Sequence, residues 1–172
     1  MEEIPIKNMI KFKQFNATDF GRLISWVDSE KLLIQFAGPI FTFPLTVEQL
    51  ELYISDENRF PFKVIKSETC EVIGHAEIYH SKNKVAKLCR ILIGDKNLRG
   101  QGIGEEIVKE LVEFAFNELS ALSIELNVYD WNTSAIKCYE KVGFVVDQSK
   151  TKANQFDNNE WTSINMTLDK LR

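Results

Sequence analysis

The stretch Leu98–Glu105 reads Leu-Arg-Gly-Gln-Gly-Ile-Gly-Glu, and it decides how the rest of the chain is interpreted. Its three glycines, at positions 100, 102 and 104, let the backbone turn sharply and approach a ligand without a Cβ in the way. An amphipathic helix pattern begins inside the stretch, so unpaired N–H groups and the positive end of the helix dipole face the loop. Arg99 adds a permanently charged guanidinium that can bind phosphate oxygens. The stretch therefore predicts an anion site, most often one for phosphate or pyrophosphate.

The spacing of the glycines excludes two common nucleotide-binding motifs. A P-loop requires Lys-Ser or Lys-Thr after its glycines, and neither follows here. A dinucleotide-binding fingerprint requires Gly-x-Gly-x-x-Gly. Its third position is Glu105 when counted from Gly100, and Ile107 when counted from Gly102. The glycines alone are also compatible with a flexible strand-to-helix turn that binds nothing.

A second motif lies further along the chain, where segment 132–144 reads Asn-Thr-Ser-Ala-Ile-Lys-Cys-Tyr-Glu-Lys-Val-Gly-Phe. Together the two stretches resemble the GNAT superfamily of acyl-CoA-dependent N-acetyltransferases. The cofactor loop of that superfamily has the form Arg/Gln-x-x-Gly-x-Gly/Ala, which Arg99, Gly102 and Gly104 match. Its later helix carries Asn-x-x-Ala-x-x-x-Tyr-x-x-x-Gly-Phe. The residues that match this second form are Asn132, Ala135, Tyr139, Gly143 and Phe144.

The resemblance implies a fold and a way of holding the cofactor. The GNAT fold is an α/β (α+β) domain with a central mixed, mostly antiparallel sheet flanked by helices. Two strands of that sheet splay apart and hold the pantetheine arm of acetyl-CoA, the acetyl donor; no metal is implied. Asn132 is also a common helix N-cap residue, and this role is compatible with cofactor binding. By resemblance, the cofactor residues are Ile91, Leu92, Ile93, Arg99, Gly100, Gln101, Gly102, Ile103, Gly104, Asn127, Asn132 and Ala135.

Two residues are candidates for proton transfer. Acetyl transfer to an amine expels CoA as a thiolate, and a phenol with a pKa of about 10 can protonate a thiolate whose thiol has a pKa of about 8.5. Tyr139 is therefore the candidate general acid; without its motif it would be interpreted as a core tyrosine. Cys138 is interpreted as a buried thiol rather than a nucleophile. Glu77, on a predicted middle strand, is the candidate base, with a solvated strand glutamate as the alternative.

The acceptor amine stays open at this stage. The region from Trp26 to Gln49 is similar to the variable acceptor region of the RimJ/RimL-like branch, whose members use many acceptors. A small amine, an aminoglycoside antibiotic and a protein N-terminus are all compatible with it. A non-catalytic acyl-CoA-binding module is the alternative from another class, and the presence of Tyr139 argues against it. A homodimer is expected by analogy alone.

Length and composition limit the remaining classes of protein. The 172 residues predict one N-acetyltransferase domain over 1–172, with its core at about 10–169. A net charge of −4 argues against nucleic-acid binding and favours cationic partners such as amines. The N-terminus lacks the positive region of a signal peptide, and no run of about eighteen apolar residues predicts a membrane span. Three cysteines at irregular spacing fit reduced thiols in a cytoplasmic protein, and with two histidines they predict no metal site.

Hydrophobic periodicity predicts the order of the elements. Helices are expected after Asn16, Thr46 and Asn132, and within the glycine stretch. Segment 28–44 is interpreted as an irregular loop rich in aromatic residues, and segment 150–159 as a polar loop between the last two strands. The strands are predicted at 10–15, 60–66, 71–79, 84–93, 122–129, 144–146 and 161–168.

Overall fold

The computed structural model of the protein describes residues 8–80 and 83–171. Seven strands form one sheet in the order β1-β2-β3-β4-β5-β7-β6, and only the β4–β5 pair is parallel. The predicted mixed, mostly antiparallel sheet is thereby confirmed. Within the described ranges, no helix is both long and apolar enough to cross a membrane. The elements are β1 (Ile10–Gln14), α1 (Phe20–Trp26), α2 (Glu30–Ala37), α3 (Val47–Ile54), β2 (Arg59–Lys66), β3 (Val72–Tyr79), β4 (Val85–Ile93), α4 (Ile103–Asn117), β5 (Ser123–Tyr129), α5 (Thr133–Val142), β6 (Val145–Phe156) and β7 (Asn159–Asp169).

Two apolar clusters flank the sheet. In the first, the apolar stripe of α4, which includes Ile107, Leu111 and Ala115, is fully buried against strand residues such as Ile124. In the second, α1, α2 and α3 pack their apolar side chains around Leu92 of β4. Burial of these side chains provides most of the favourable free energy of folding. It also holds β4 between two helical layers, so the position of β4 is well determined.

The parallel strands β4 and β5 pair along only part of their length. Their register runs from Val85 opposite Ser123 to Leu88 opposite Leu126 and then stops, although β4 continues to Ile93 and β5 to Tyr129. Beyond Leu88 the two strands separate and leave backbone groups of both edges without a strand partner. The predicted splayed strand pair is thereby confirmed.

A β-bulge in β4 lies where the strands separate. The register with β3 shifts between His75 and Glu77, so that Arg90 and Ile91 together face the single residue Ala76. Arg90 has a φ of +49°, a left-handed conformation that non-glycine residues rarely adopt. Bulges of this kind bend a strand and increase its twist. The bend therefore directs the end of β4 away from β5.

Two segments predicted as loops are regular, and those predictions are wrong. Segment 28–44 contains α2, whose first turn is capped by Ser29 through a hydrogen bond from the Leu32 N–H at 3.3 Å. Segment 150–159 lies almost entirely in the long β6–β7 hairpin. Asp157 and Asn158 both have left-handed φ values, as the type I′ hairpin turn requires, and this turn lets polar strands pair where a loop was expected.

Candidate active site

Two cavities meet where β4 and β5 separate. One has a volume of about 550 Å³ and runs from the glycine stretch past the end of β4 to α5; we call it the slot. The other has a volume of about 780 Å³ and lies among α2, the ends of β2 to β5 and the β6–β7 hairpin; we call it the acceptor cavity. Their common walls bring a ligand in one within reach of a ligand in the other. The shared residues are Gln35, Phe36, Leu88, Cys89, Arg90, Asn127, Val128 and Tyr129.

The glycine stretch forms the outer end of the slot. Gly100 and Gly102 have φ values of +76° and +83°, a conformation in which a side chain is strained, and open space surrounds both. Gly102 is the N-cap of α4, so the first N–H groups of a fifteen-residue helix point out of this loop. The Arg99 guanidinium donates to the Ile93 carbonyl at 3.1 Å, which holds it beside the same opening. Exposed N–H groups, a helix N-terminus and a guanidinium together suit a phosphate group.

Ten of the twelve predicted cofactor residues line the slot. Gln101 and Ile103 do not line the slot, so the prediction that they bind the cofactor is wrong for their side chains. The Gln101 side chain donates to the Asn97 carbonyl at 2.8 Å, and the Ile103 side chain is buried in the core beneath the loop. Only the backbone N–H groups of these two residues remain as donors toward the slot.

The two predicted asparagines both line the slot. The Asn132 carbonyl accepts from the Ile136 N–H at 3.1 Å and begins α5, but its side chain makes no capping hydrogen bond. That side chain lines the slot and stays available to a ligand. Asn127 lies on the splayed part of β5. In the amide orientation that satisfies its neighbours, its oxygen accepts from the Lys87 ammonium at 3.1 Å.

Tyr139 lies on α5 with its side chain in the wall of the slot. Its ring packs edge-on against Phe144 in the core, with the ring centroids 6.1 Å apart. Burial raises the pKa of the Tyr139 phenol above its usual value, so the hydroxyl keeps its proton throughout the physiological range. In the described part of the chain, no group makes a hydrogen bond with this hydroxyl. A half-buried, protonated phenol facing a cavity is suited to donate a proton to a bound ligand.

Glu77 is buried, so its interpretation as a solvated strand glutamate is wrong. Its carboxylate binds Arg90 twice, at 2.5 and 3.1 Å, and Arg59 once, at 2.9 Å. The Tyr53 hydroxyl donates to the same carboxylate. Glu77 lines neither cavity, and these donors already use its oxygens. The geometry therefore does not support Glu77 as the base that was predicted. Instead, its carboxylate neutralises the nearly buried Arg90 guanidinium and the partly buried Arg59 guanidinium.

His75 completes this charged cluster. Its Nδ1 is 2.8 Å from the Arg90 carbonyl, at the left-handed residue of the bulge. Burial lowers the pKa of His75 from 6.5 to about 4, so the ring is neutral near pH 7 and Nδ1–H can donate to that carbonyl. The Glu77 and His75 contacts together hold both ends of Arg90. We attribute the stability of the bulge, and hence of the strand separation, to this pair.

The acceptor cavity only partly follows the predicted acceptor region. Phe36, Gly38 and Phe43 line it, whereas Leu45 is buried in the second apolar cluster and the Trp26 ring packs over Gly94. The remaining wall was not predicted from the sequence. It comes from distant strands, and its residues include Arg59, Tyr79, Lys87, Cys89, Arg90, Tyr129, Phe156 and Trp161.

Some of these residues carried a signal in the sequence. Arg90 interrupts the apolar run of β4, and a charge in such a run indicates a buried partner. Tyr129 and Trp131 alternate at the end of the predicted strand, where they could have been assigned to one face. Cys89 carried no signal; burial raises the pKa of its thiol to about 11, which keeps it neutral. The described ranges contain no cluster of His, Cys, Asp and Glu that could hold a metal ion.

A mixed sheet that opens between two parallel strands, with a helix N-terminus at one end of the opening, defines the class of acyl-CoA-dependent N-acetyltransferases. The profile of the acetyltransferase (GNAT) family matches residues 26–144. The match covers more than half of the 172 residues, and the chain belongs to this family.

Similar proteins agree with this membership. The N-acetyltransferase 9-like protein of Nematostella vectensis is 20% identical over 181 residues, which cover 96% of this chain and 91% of the relative. A spermidine N-acetyltransferase from Vibrio cholerae, solved in complex with CoA and spermine, has a TM-score of 0.78 at 20% identity over 95% of this chain and 96% of that one. AAC(6')-Ib in complex with parmomycin and acetyl-CoA has a TM-score of 0.72 and is 20% identical. The match covers 94% of this chain and 93% of that one. At these identities the structures establish the fold.

Proposed function

We propose that the protein transfers an acetyl group from acetyl-CoA to a primary amine by direct attack in a ternary complex. The observation that carries the proposal is that the slot and the acceptor cavity share a wall at the point where β4 and β5 separate. A thioester at the inner end of the slot and an amine in the acceptor cavity meet there without a covalent enzyme intermediate. The neutral Cys89 thiol at this wall fits direct transfer, since a thiol in that state is a poor nucleophile.

Acetyl-CoA is the donor in this proposal. Its phosphates lie at the glycine stretch beside Arg99, and its pantetheine amides pair with the free edges of β4 and β5. Lys137 and Lys141 of α5 also line the slot and add positive charge for the phosphates. The two solved relatives described above hold CoA or acetyl-CoA, which supports the choice of donor.

Tyr139 acts as the general acid. The amine nitrogen attacks the thioester carbonyl, the C–S bond breaks, and the Tyr139 hydroxyl gives its proton to the departing sulfur. The phenolate then takes a proton from solvent. Burial raises the pKa of Tyr139, which keeps the acid form present at every pH at which the enzyme works and also makes the phenol a weaker acid, so the support for this role is the position of the hydroxyl in the wall of the slot.

Solvent, rather than Glu77, takes both protons that the amine loses, one before the attack and one as the amide forms. The carboxylate of Glu77 is occupied by Arg59, Arg90 and Tyr53, so we assign it the role of a positioning residue behind the bulge. The test compares acceptor amines of different pKa. The rise of kcat/KM with pH should follow the pKa of each amine; a rise at one fixed pH for all amines would instead indicate a base on the protein.

The experiment that tests the function is thiol release from acetyl-CoA, screened over polyamines, aminoglycosides and peptides with free N-termini. Stoichiometric thiol release with formation of the acetylated amine supports the proposal. If CoA binds and no amine is acetylated, the alternative of a non-catalytic acyl-CoA-binding module is favoured. The same screen identifies the class of acceptor, which the similarity to the RimJ/RimL-like branch leaves open because members of that branch use many acceptors.

Three further assignments remain inferences. We infer a cytoplasmic location from the free state of Cys70, Cys89 and Cys138 in the described part of the chain. We infer one catalytic domain over 1–172 from the single sheet that both apolar clusters cover. A homodimer is inferred by analogy and is testable by sedimentation.

A further inference from the structure

Four aromatic side chains form a cluster at the rim of the acceptor cavity. Tyr129 and Trp131 stack with their centroids 6.0 Å apart, and the Trp161 ring lies edge-on to both, at 5.0 and 5.1 Å. Phe156 of the hairpin lies 4.6 Å from Trp161. We call these four residues the aromatic cage. Tyr129, Phe156 and Trp161 line the acceptor cavity itself, so the cage is continuous with it.

An alkylammonium group already lies over two rings of this cage. The Lys31 Nζ, from the first turn of α2, is 5.1 Å from the centroid of Trp131 and 6.0 Å from that of Trp161. In the described ranges, no carboxylate lies within ion-pair distance of this ammonium. The negative faces of the aromatic rings are therefore its main electrostatic partners. The faces of Trp131 and Trp161 thus already lie against an alkylammonium group in the folded chain.

Three cationic side chains line the acceptor cavity, and each has a polar partner within the protein. Glu77 and Asp56 neutralise Arg59 and Arg90 through contacts of 2.5 to 3.1 Å, and the Lys87 ammonium lies 3.1 Å from the Asn127 amide oxygen. Glu30, adjacent to Lys31, is the only acidic residue among the described residues that line the cavity. A second cationic group of an acceptor would thus find aromatic faces and one carboxylate at the rim.

We propose that the aromatic cage binds a second, non-reacting alkylammonium group of the acceptor, and that Lys31 occupies this position until the acceptor displaces it. The proposal rests on the proposed function, because it assigns a substrate class to the same site: amines that carry a second alkylammonium centre. Lys31 then acts as an internal competitor for the cage. Removal of the Lys31 ammonium should therefore strengthen the binding of a cation to the cage. If Lys31 only stabilised the packing of α2 against the hairpin, its removal would weaken that binding or leave it unchanged.

The first experiment measures binding without turnover. Choline is the probe, since its quaternary ammonium cannot be acetylated, and 3,3-dimethylbutan-1-ol is the neutral molecule of the same shape. Indole N–H resonances report on Trp131 and Trp161, and Trp26, which packs over Gly94, is the internal reference. The variants are Lys31→Met, Trp131→Leu and Lys13→Met. Lys13 is exposed on β1, at the opposite edge of the sheet, and its variant controls for the loss of one positive charge.

The proposal predicts that Lys31→Met binds choline at least about 5-fold more tightly than the wild type, within the range expected for a cation over aromatic rings. Trp131→Leu should lose that binding, and Lys13→Met should match the wild type. Trp131 is 36% exposed, so leucine is tolerated at this position. Equal affinity in Lys31→Met and the wild type overturns the proposal. The proposal is also overturned if choline and its neutral analogue bind equally well, because the site would then recognise an apolar shape and not a positive charge.

The second experiment separates this proposal from the proposed function. It compares kcat/KM for 1,5-diaminopentane and for pentylamine, and the diamine should be preferred in the wild type and more so in Lys31→Met. In Trp131→Leu the preference should fall by about 5-fold. If both amines are acetylated and neither variant changes the preference between them, the proposal that the cage binds the second ammonium group is wrong and the proposed function still holds. If no amine of any kind is acetylated, the proposed function fails and the cage as an acceptor site fails with it, while choline binding would still establish a cation site.

Discussion

The slot and the acceptor cavity are built in different ways. The slot is made mainly of backbone: two left-handed glycines, the N-terminus of α4 and the free edges of β4 and β5. The acceptor cavity is made of side chains that come from α2, four strands and the hairpin. A backbone site depends on a few short motifs and binds a ligand common to a family. A side-chain site can change its ligand with few substitutions, so it carries the specificity of the individual protein.

The largest effect that distinguishes the two regions is expected for Tyr139→Phe. Removal of the hydroxyl should lower kcat by about 10²- to 10⁴-fold, because proton donation to the thiolate is lost in the transition state. Since the ring still packs against Phe144, the CoA affinity should change by less than about 2-fold. A tenfold change in affinity would correspond to about 1.4 kcal/mol, so the expected change in binding free energy is much smaller than that. Stopped-flow thiol release and calorimetry measure the two quantities. An unchanged kcat with chemistry rate-limiting would return Tyr139 to a packing role.

Gly102→Val tests the backbone character of the slot. Valine at a φ of +83° is strained, and its side chain would project into the path of the phosphates, so CoA should bind about 100-fold more weakly, or about 3 kcal/mol. Gly21→Val is the matched control, because Gly21 lies in α1 with no atom within 4 Å of its Cβ position. Wild-type affinity in Gly102→Val would contradict the assignment of the loop.

His75→Gln tests the charged cluster behind the acceptor cavity. The pKa of His75 is lowered from 6.5 to about 4, so the unfolded chain binds a proton in this interval that the folded protein does not. The free energy of unfolding is therefore highest above pH 6.5 and falls as the pH drops to 4, by about 3 kcal/mol from this residue. His75→Gln should lose this pH dependence, whereas His80→Gln, a half-buried position outside the charged cluster, should keep it. Chemical denaturation at several pH values measures the difference.

Arg99→Ala should give the smallest effect in the slot. The guanidinium supplies one of several phosphate donors, and the helix N–H groups remain, so CoA affinity should fall by about 10-fold, or 1.4 kcal/mol. Because the lost contact is exposed and ionic, the difference from the wild type should shrink at high salt. Titration calorimetry at two salt concentrations tests both statements. A loss as large as that of Gly102→Val would show that side-chain charge, rather than backbone geometry, dominates the slot.

The same contrast explains what could be predicted from the sequence. The slot depends on residues close in sequence, whose glycine spacing and helix pattern have a direct physical meaning, and ten of the twelve residues predicted to bind the cofactor line it. Gln101 and Ile103 do not line it, because a motif does not tell which side chains turn back to the loop or the core. The acceptor wall depends on strand register and on the Asp157–Asn158 turn, which bring Phe156 and Trp161 to α2.

Glu77 illustrates the limit most clearly. Strand alternation places it on one face of β3, but it does not reveal that Arg59 and Arg90 of the neighbouring strands reach its carboxylate. A carboxylate that looked like a base from the sequence is thus a buried counter-ion in the structure. Only the pairing of three strands, one of them bulged, determines this role.

We propose that acyl-CoA lies in the slot and ends at the wall shared with the acceptor cavity. Mapping of backbone amide resonances during a titration with CoA tests it most directly. If CoA binds in the slot, resonances should shift at 91–93, at 99–105 and at the start of α5, and those of 154–161 in the hairpin should stay unchanged. Shifts confined to 154–161, with the glycine stretch unaffected, would contradict it.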